Sequence, residues 1–239
     1  MENSIKKLPL KHILKDSWVY CLRHAKASLL FALAAYAAGA LALFCWKSLF
    51  FLPVLGGIYV LWGASLRYYL GRKPYFSLPA LTNSLIPSTK IVLLSVVVAS
   101  VLILLPLLPL FLNLSPEFLS GYSRFLEGDF EQERMLILAA NIVFTLISPY
   151  IAYRPFLAWI SALCGRSGSL RFAWSKTHGN YTGFLMMAVL TNLSISLLRW
   201  LILTIGGNDY ATLLFVAPLV VYFNVAAAKI YEFFFLEID

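Results

Sequence analysis

The sequence predicts an all-α polytopic membrane protein with six transmembrane helices paired as three hairpins, amphipathic interfacial helices on the cytoplasmic side, and both termini inside. Three observations predict it. Of 239 residues, 61% are apolar and only 13% charged, with a mean hydropathy of +0.80, where a soluble domain carries about a quarter of charged residues. Six runs have the roughly 20 apolar residues that a helix needs to cross a hydrocarbon core about 30 Å thick. Finally, fifteen of the nineteen Lys and Arg fall in segments that share one side if the N-terminus is inside, the bias expected of cytoplasmic loops.

The elements follow in order. Residues 1–27 form an amphipathic interfacial N-terminus: Ile13, Leu14, Trp18, Cys21, Leu22 and Ala25 recur at helical spacing, while Lys7, Lys11 and Lys15 line another face. A Trp at headgroup depth beside lysines suits a helix lying flat against anionic lipid. About 27 residues precede an apolar run of 19, and both lengths exceed the signal-peptide pattern, so the run is expected to stay as an anchor. Hairpin 1 covers 28–66, with spans Ser28–Trp46 and Ser48–Leu66 separated only by Lys47. An inner basic loop fills 67–90, then hairpin 2 covers 91–153 with spans Ile91–Leu112 and Met135–Tyr153 around an outer acidic loop, 113–134. A second inner basic loop, 154–183, leads to hairpin 3, 184–234, with spans Phe184–Thr204 and Leu213–Phe234.

The stretch RFAWSKTHGNYTGF, residues 171–184, repeats the ingredients of the N-terminus. Leu170 and Trp174 supply an apolar side, Arg171 and Lys176 a basic one, and Gly179 a helix stop. The proline-broken segment 74–90 holds the equivalent place before the third span. Two readings of this pattern stand: three tandem units of interfacial segment plus hairpin, or the general tendency of inner loops to collect basic and aromatic residues. The interfacial candidates are Lys11, Lys15, Trp18, Arg171, Trp174 and Lys176.

The longer stretch GRSGSLRFAWSKTHGNYTGFLMM resembles the segment before the fifth span in a broad set of six-span bacterial inner-membrane proteins. These include the YciC-like group and the membrane domains attached to some glycerophosphodiesterases. In those proteins a small residue and Trp precede a polar turn with Gly or Asn, matched by Ala173, Trp174, Gly179 and Asn180. The resemblance covers about 25 residues plus the span plan. It implies a bacterial inner-membrane protein and transfers no catalytic residue; the phosphodiesterase domain has no counterpart in this chain.

No constellation for catalysis emerges. His12, His24 and His178 all fall in basic inner segments; H-E-x-x-H, a P-loop and Cys/His ligand spacing are missing from the sequence. GRSGS, residues 165–169, begins like a nucleophile elbow, yet Ser169 stands where that motif has Gly. Cys21, Cys45 and Cys164 are too scattered for a disulfide framework. No catalytic, cofactor-binding or metal residue is therefore assigned. The formal charge of +8 is spread between apolar spans, which argues for membrane topology and against nucleic acid.

Arg199 and Lys229 lie near span ends, where long side chains reach the interface, and Lys229 is placed to pair with Glu232 on one helix face. The deeper polar residues are neutral: Asn141, Asn192 and Asn224. Asn192 and Asn224 lie at similar depths, roughly 12–15 Å from the inner ends of their spans, and are expected to face protein and join spans 5 and 6. The expected function is that of a non-enzymatic membrane protein, associated with anionic lipid headgroups and supporting a membrane assembly, with no cofactor. Its partners are lipid and either a membrane-protein partner or further copies in a homo-oligomer. A transporter or channel component is the alternative.

Overall fold

The computed structural model describes residues 7–46, 48, 50–104, 142–143, 146–147, 149–166 and 168–236. These residues are 84% helical with no strand. Helix α1 (Leu10–Arg23) is followed by α2 (Ala25–Cys45), α3 (Phe51–Tyr69) and α4 (Leu78–Leu104). A π-helical turn, Pro149–Tyr153, runs into α5 (Arg154–Leu163), and α6 (Leu170–Lys176), α7 (Tyr181–Thr204) and α8 (Asp209–Phe235) complete the order.

Three helices among the described residues, α2, α7 and α8, are long and apolar enough to cross a membrane. They coincide with the first, fifth and sixth predicted spans. The second predicted span is helical as α3, whose last turn carries Arg67, Tyr68 and Tyr69. The start of the third lies in α4. The acidic loop 113–134, most of the fourth predicted span and Asn141 lie outside the described residues.

Helix α8 is the axis of the fold. It packs against α1, α2, α3, α5 and α7, and buries Val221, Val225, Ala226, Ala228, Ile230, Tyr231, Phe234 and Phe235. Small residues let the neighbours approach closely: a Cβ added at Gly39 of α2 would sit 3.2 Å from Leu213 Cδ2 of α8, the small-residue packing that membrane helices favour. The outward sides of α2 and α7 are apolar and exposed, with Leu29, Leu30, Leu33, Leu41 and Phe44 on one and Leu193, Leu197, Trp200 and Leu201 on the other. Apolar exposure on this scale needs a non-aqueous neighbour.

Two departures from the sequence reading have local causes. The segment before the third span is continuous with it: α4 passes straight through Pro87. Ser84, Ser88 and Thr89 hydroxyls donate to carbonyls one turn back within that helix, giving this part of the helix the local side-chain bonds that help apolar surroundings tolerate proline. The predicted inner loop 154–183 contains α5, in which Arg154, Pro155 and Leu157–Leu163 are all buried. Its ten residues, bounded by Arg154 and Arg166, are too short to read as a span but complete enough to serve as a core helix.

Candidate functional site

Helix α1 has two opposed faces. Ile13 and Ser17 are buried, with the Ser17 hydroxyl donating to Ile13 O at 2.7 Å. Tyr222 of α8 donates its hydroxyl to Leu14 O at 3.2 Å and meets the Trp18 ring edge-on at 6.3 Å. The steps of four, three and four residues from Lys11 to Lys15, Trp18 and Leu22 place these four on one stripe opposite Ile13 and Ser17, and all four are exposed. The stripe thus combines two cations with a Trp and a Leu. At the C-terminal end of α1, Tyr20 stacks on His24 at 4.3 Å and carries Lys229 Nζ at 5.6 Å over its ring; burial pushes its phenol up from the ordinary value. Lys229 in turn pairs with Glu232 at 2.7 Å, the partner its spacing predicts.

The second predicted interfacial stretch is α6 and its turn. Ser169 caps the helix by accepting from Phe172 N–H, at 3.4 Å. Thr177 donates to Ala173 O, and Gly179 adopts φ +76°, the left-handed value that ends a helix and that side-chain-bearing residues avoid. Asn180 then does two things: its Nδ2 donates to His178 O at 3.2 Å, and its Oδ1 accepts the Leu8 N–H at 2.7 Å. Leu8 also lies against Gly183, where an added Cβ would come within 3.0 Å of it. The stretch before α7 is thus a latch that ties the start of α1 to the start of α7. Arg171, Trp174 and Lys176 remain exposed on it, with Lys176 Nζ 5.6 Å above the Phe172 ring.

Arginines close helix ends beside this latch. Arg67, only 6% exposed, donates from Nε to Pro74 O at 3.0 Å and from Nη1 to Leu163 O, the last carbonyl of α5. Arg166 donates from Nη1 to Phe235 O, the last carbonyl of α8, at 2.7 Å. Cations at helix C-termini meet both the unsatisfied carbonyls and the negative end of the dipole. Cys164 sits among them; burial pushes its thiol up, against the opposing pull of Arg72, Arg67 and Arg166.

The interior holds a polar wedge between α3 and α8. Asn224, 7% exposed, accepts the Trp62 indole N–H at 2.6 Å. Trp62 packs on Phe156 and Trp159 at 5.5 and 5.6 Å, and Trp159 donates its indole N–H to Tyr59 OH at 3.1 Å. Tyr59 also bonds to Ser84 of α4, so the chain of contacts joins α8, α3, α5 and α4. Beside Asn224 lies a cavity of about 270 Å³, lined mainly by apolar side chains of α2, α3 and α8 such as Phe31, Val220 and Val221. The bond that Asn224 accepts from Trp62 joins α8 to α3, and Asn192 holds an exposed position on α7. Arg199, at the far end of α7, faces Asp209 at 3.8 Å. Among the described residues no group of three or more His, Cys, Asp or Glu is placed to hold a metal.

Three helices long and apolar enough to cross a membrane, outward-facing leucines and a buried polar wedge are compatible with an integral membrane protein. Compared with models of protein families, with curated proteins and with solved structures, the chain matches none.

Proposed function

We propose that this chain is a non-enzymatic integral membrane protein that holds anionic lipid along one basic end and thereby supports or organises a membrane assembly. The observation that carries the reading is the stripe of Lys11, Lys15, Trp18 and Leu22, exposed on a helix that packs on α8 and buries Ile13 and Ser17. Packing fixes which face of α1 is turned outward, and juxtamembrane lysines contribute about 1 kcal/mol each near an anionic surface. Arg171, Trp174 and Lys176 extend the same chemistry from the latch. The Lys and Arg distribution favours six spans with both termini inside, and the resemblance of residues 165–187 to bacterial six-span proteins favours an inner, plasma-membrane location. A transport role would use a polar path, whereas the cavity beside Asn224 has mainly apolar walls.

The test is native mass spectrometry of the protein extracted gently from its own membrane. Retained anionic lipid, or a partner at fixed stoichiometry, is the expected result, and loss of that lipid on Lys11→Gln with Lys15→Gln would tie it to the stripe. A bare monomer would contradict the proposal and favour the transporter or channel alternative.

A further inference from the structure

One donor is left over in the cavity between α2, α3 and α8. An indole N–H can only donate, so the 2.6 Å bond from Trp62 occupies the amide oxygen of Asn224 and fixes which way round the amide sits. Its Nδ2 has no hydrogen-bond partner among the described residues. Asn224 is 7% exposed and lines the cavity of about 270 Å³. The neighbouring walls are apolar, with Phe31, Ala38, Leu61 and Val220 among them, and the Ser65 hydroxyl in the lining donates back to Trp62 O at 2.8 Å. Apolar cavities take up apolar molecules, and one of about 150 Å³ binds benzene. The larger volume here has room for a bigger ring system.

Depth narrows the chemistry. Asn224 lies about 16 Å along the axis from Phe235, the last residue of α8, which is close to the middle of a hydrocarbon core about 30 Å thick. The ester carbonyls of phospholipids stay at the interface, far from that level, and a carboxylate there would be costly. The fitting occupant is therefore neutral, dissolved in the bilayer and equipped with an acceptor. Trp62, 40% exposed, gives the cavity a side that such a molecule can reach, and its indole and the Phe31 ring offer aromatic surfaces.

We propose that this cavity is a binding site for a neutral ring compound bearing a carbonyl, as in lipid-soluble quinones, with the carbonyl oxygen accepting from Asn224 Nδ2 and the ring lying among the walls of α2, α3 and α8. The site shares no residue with the α1 stripe or the latch. It stands apart from the lipid association proposed above and rests only on these three helices lying in a membrane.

Equilibrium dialysis of the full-length protein in micelles, against protein-free micelles of the same detergent, measures bound menadione and bound methylnaphthalene, which has the same rings without the carbonyls. The wild type is expected to bind one menadione per chain saturably and methylnaphthalene more weakly. Asn224→Leu, similar in size, should weaken menadione by about fivefold, equivalent to one neutral hydrogen bond of about 1 kcal/mol, and leave methylnaphthalene unchanged. Ala38→Leu fills the cavity without touching the bond between Asn224 and Trp62, and should weaken both compounds by about tenfold or more, with wild-type circular dichroism. Equal loss of both compounds in Asn224→Leu, or no loss of either, would overturn the hydrogen bond to the carbonyl. Menadione bound normally by Ala38→Leu would overturn the location, and no saturable binding by the wild type would overturn the site altogether.

Discussion

Replacing Asn224 with Leu, Trp62 with Phe, and both together tests the polar wedge quantitatively. The Asn224 side chain is 7% exposed and its Oδ1 lies 2.6 Å from the Trp62 indole nitrogen. Trp62→Phe leaves the buried Asn224 carbonyl without this partner, while Asn224→Leu does the same to the indole N–H of Trp62, a residue that is 40% exposed. Trp62→Phe also trims a ring that packs on Phe156 and Trp159, so its total cost mixes packing with hydrogen bonding. The double-mutant cycle removes the packing share. Side-chain hydrogen bonds between membrane helices couple by about 0.6–2 kcal/mol, which changes the ratio of folded to unfolded protein by about 3- to 30-fold. Reversible unfolding in mixed micelles on titration with dodecyl sulfate, followed by circular dichroism, gives the four free energies. The double variant should lose less than the sum of the single variants by that coupling energy. Additivity to within about 0.3 kcal/mol would refute the idea that this bond holds α8 to α3.

Three further outcomes follow from the basic end. Asn180→Ala removes the acceptor for Leu8 N–H, a bond worth about 1 kcal/mol, and should speed tryptic cleavage after Lys11 several-fold; an unchanged rate would show that the latch does not hold the N-terminal segment. Arg67→Lys keeps the charge but cannot span both Pro74 O and Leu163 O, and should cost about 1.5–3 kcal/mol in the same unfolding assay, given the strength of hydrogen bonds to charged groups; a neutral substitution would contradict the double cap. Burial raises the Cys164 thiol in the folded chain, so the unfolded state gives up its proton first as pH rises. The stability tied to this group is therefore complete below the ordinary thiol value of 9.0 and declines above it. Cys164→Ala should flatten that decline above the ordinary thiol value of 9.0, measured as midpoint against pH, and an unchanged slope would count against it.

The parts of the fold that were legible in sequence are those governed by local pattern. The turn spacing of Lys11, Lys15 and Ile13 marks α1, Trp174 between Arg171 and Lys176 marks α6, and three of the apolar runs mark α2, α7 and α8. Lys229 and Glu232 pair because three residues separate them on one helix. What pattern cannot show is which neighbours meet. Trp62 and Asn224 are 162 positions apart, and Asn224 could be placed at the right depth without its partner being visible. Leu8 and Asn180 are 172 apart, so the N-terminus and the latch read as two separate interfacial elements when they are hydrogen-bonded to one another. Helix α5 was hidden because Arg154 suggests a solvated loop, while the folded chain buries that arginine against Phe184. The sequence pattern sets Lys11 and Lys15 on a face away from Trp18, whereas the helix puts all three on one exposed stripe.

The central claim is that α1 and α6 form one basic belt on a single side of the membrane, with the α2–α3 turn on the other. Single cysteines placed at Lys15, Lys176 and Ser48 in a chain lacking Cys21, Cys45 and Cys164 can be labelled with a membrane-impermeant maleimide, in sealed right-side-out and inverted vesicles. The account predicts that Lys15→Cys and Lys176→Cys label only in inverted vesicles and Ser48→Cys only in right-side-out ones. Labelling of the first two from opposite sides, or of all three from the same side, would contradict it.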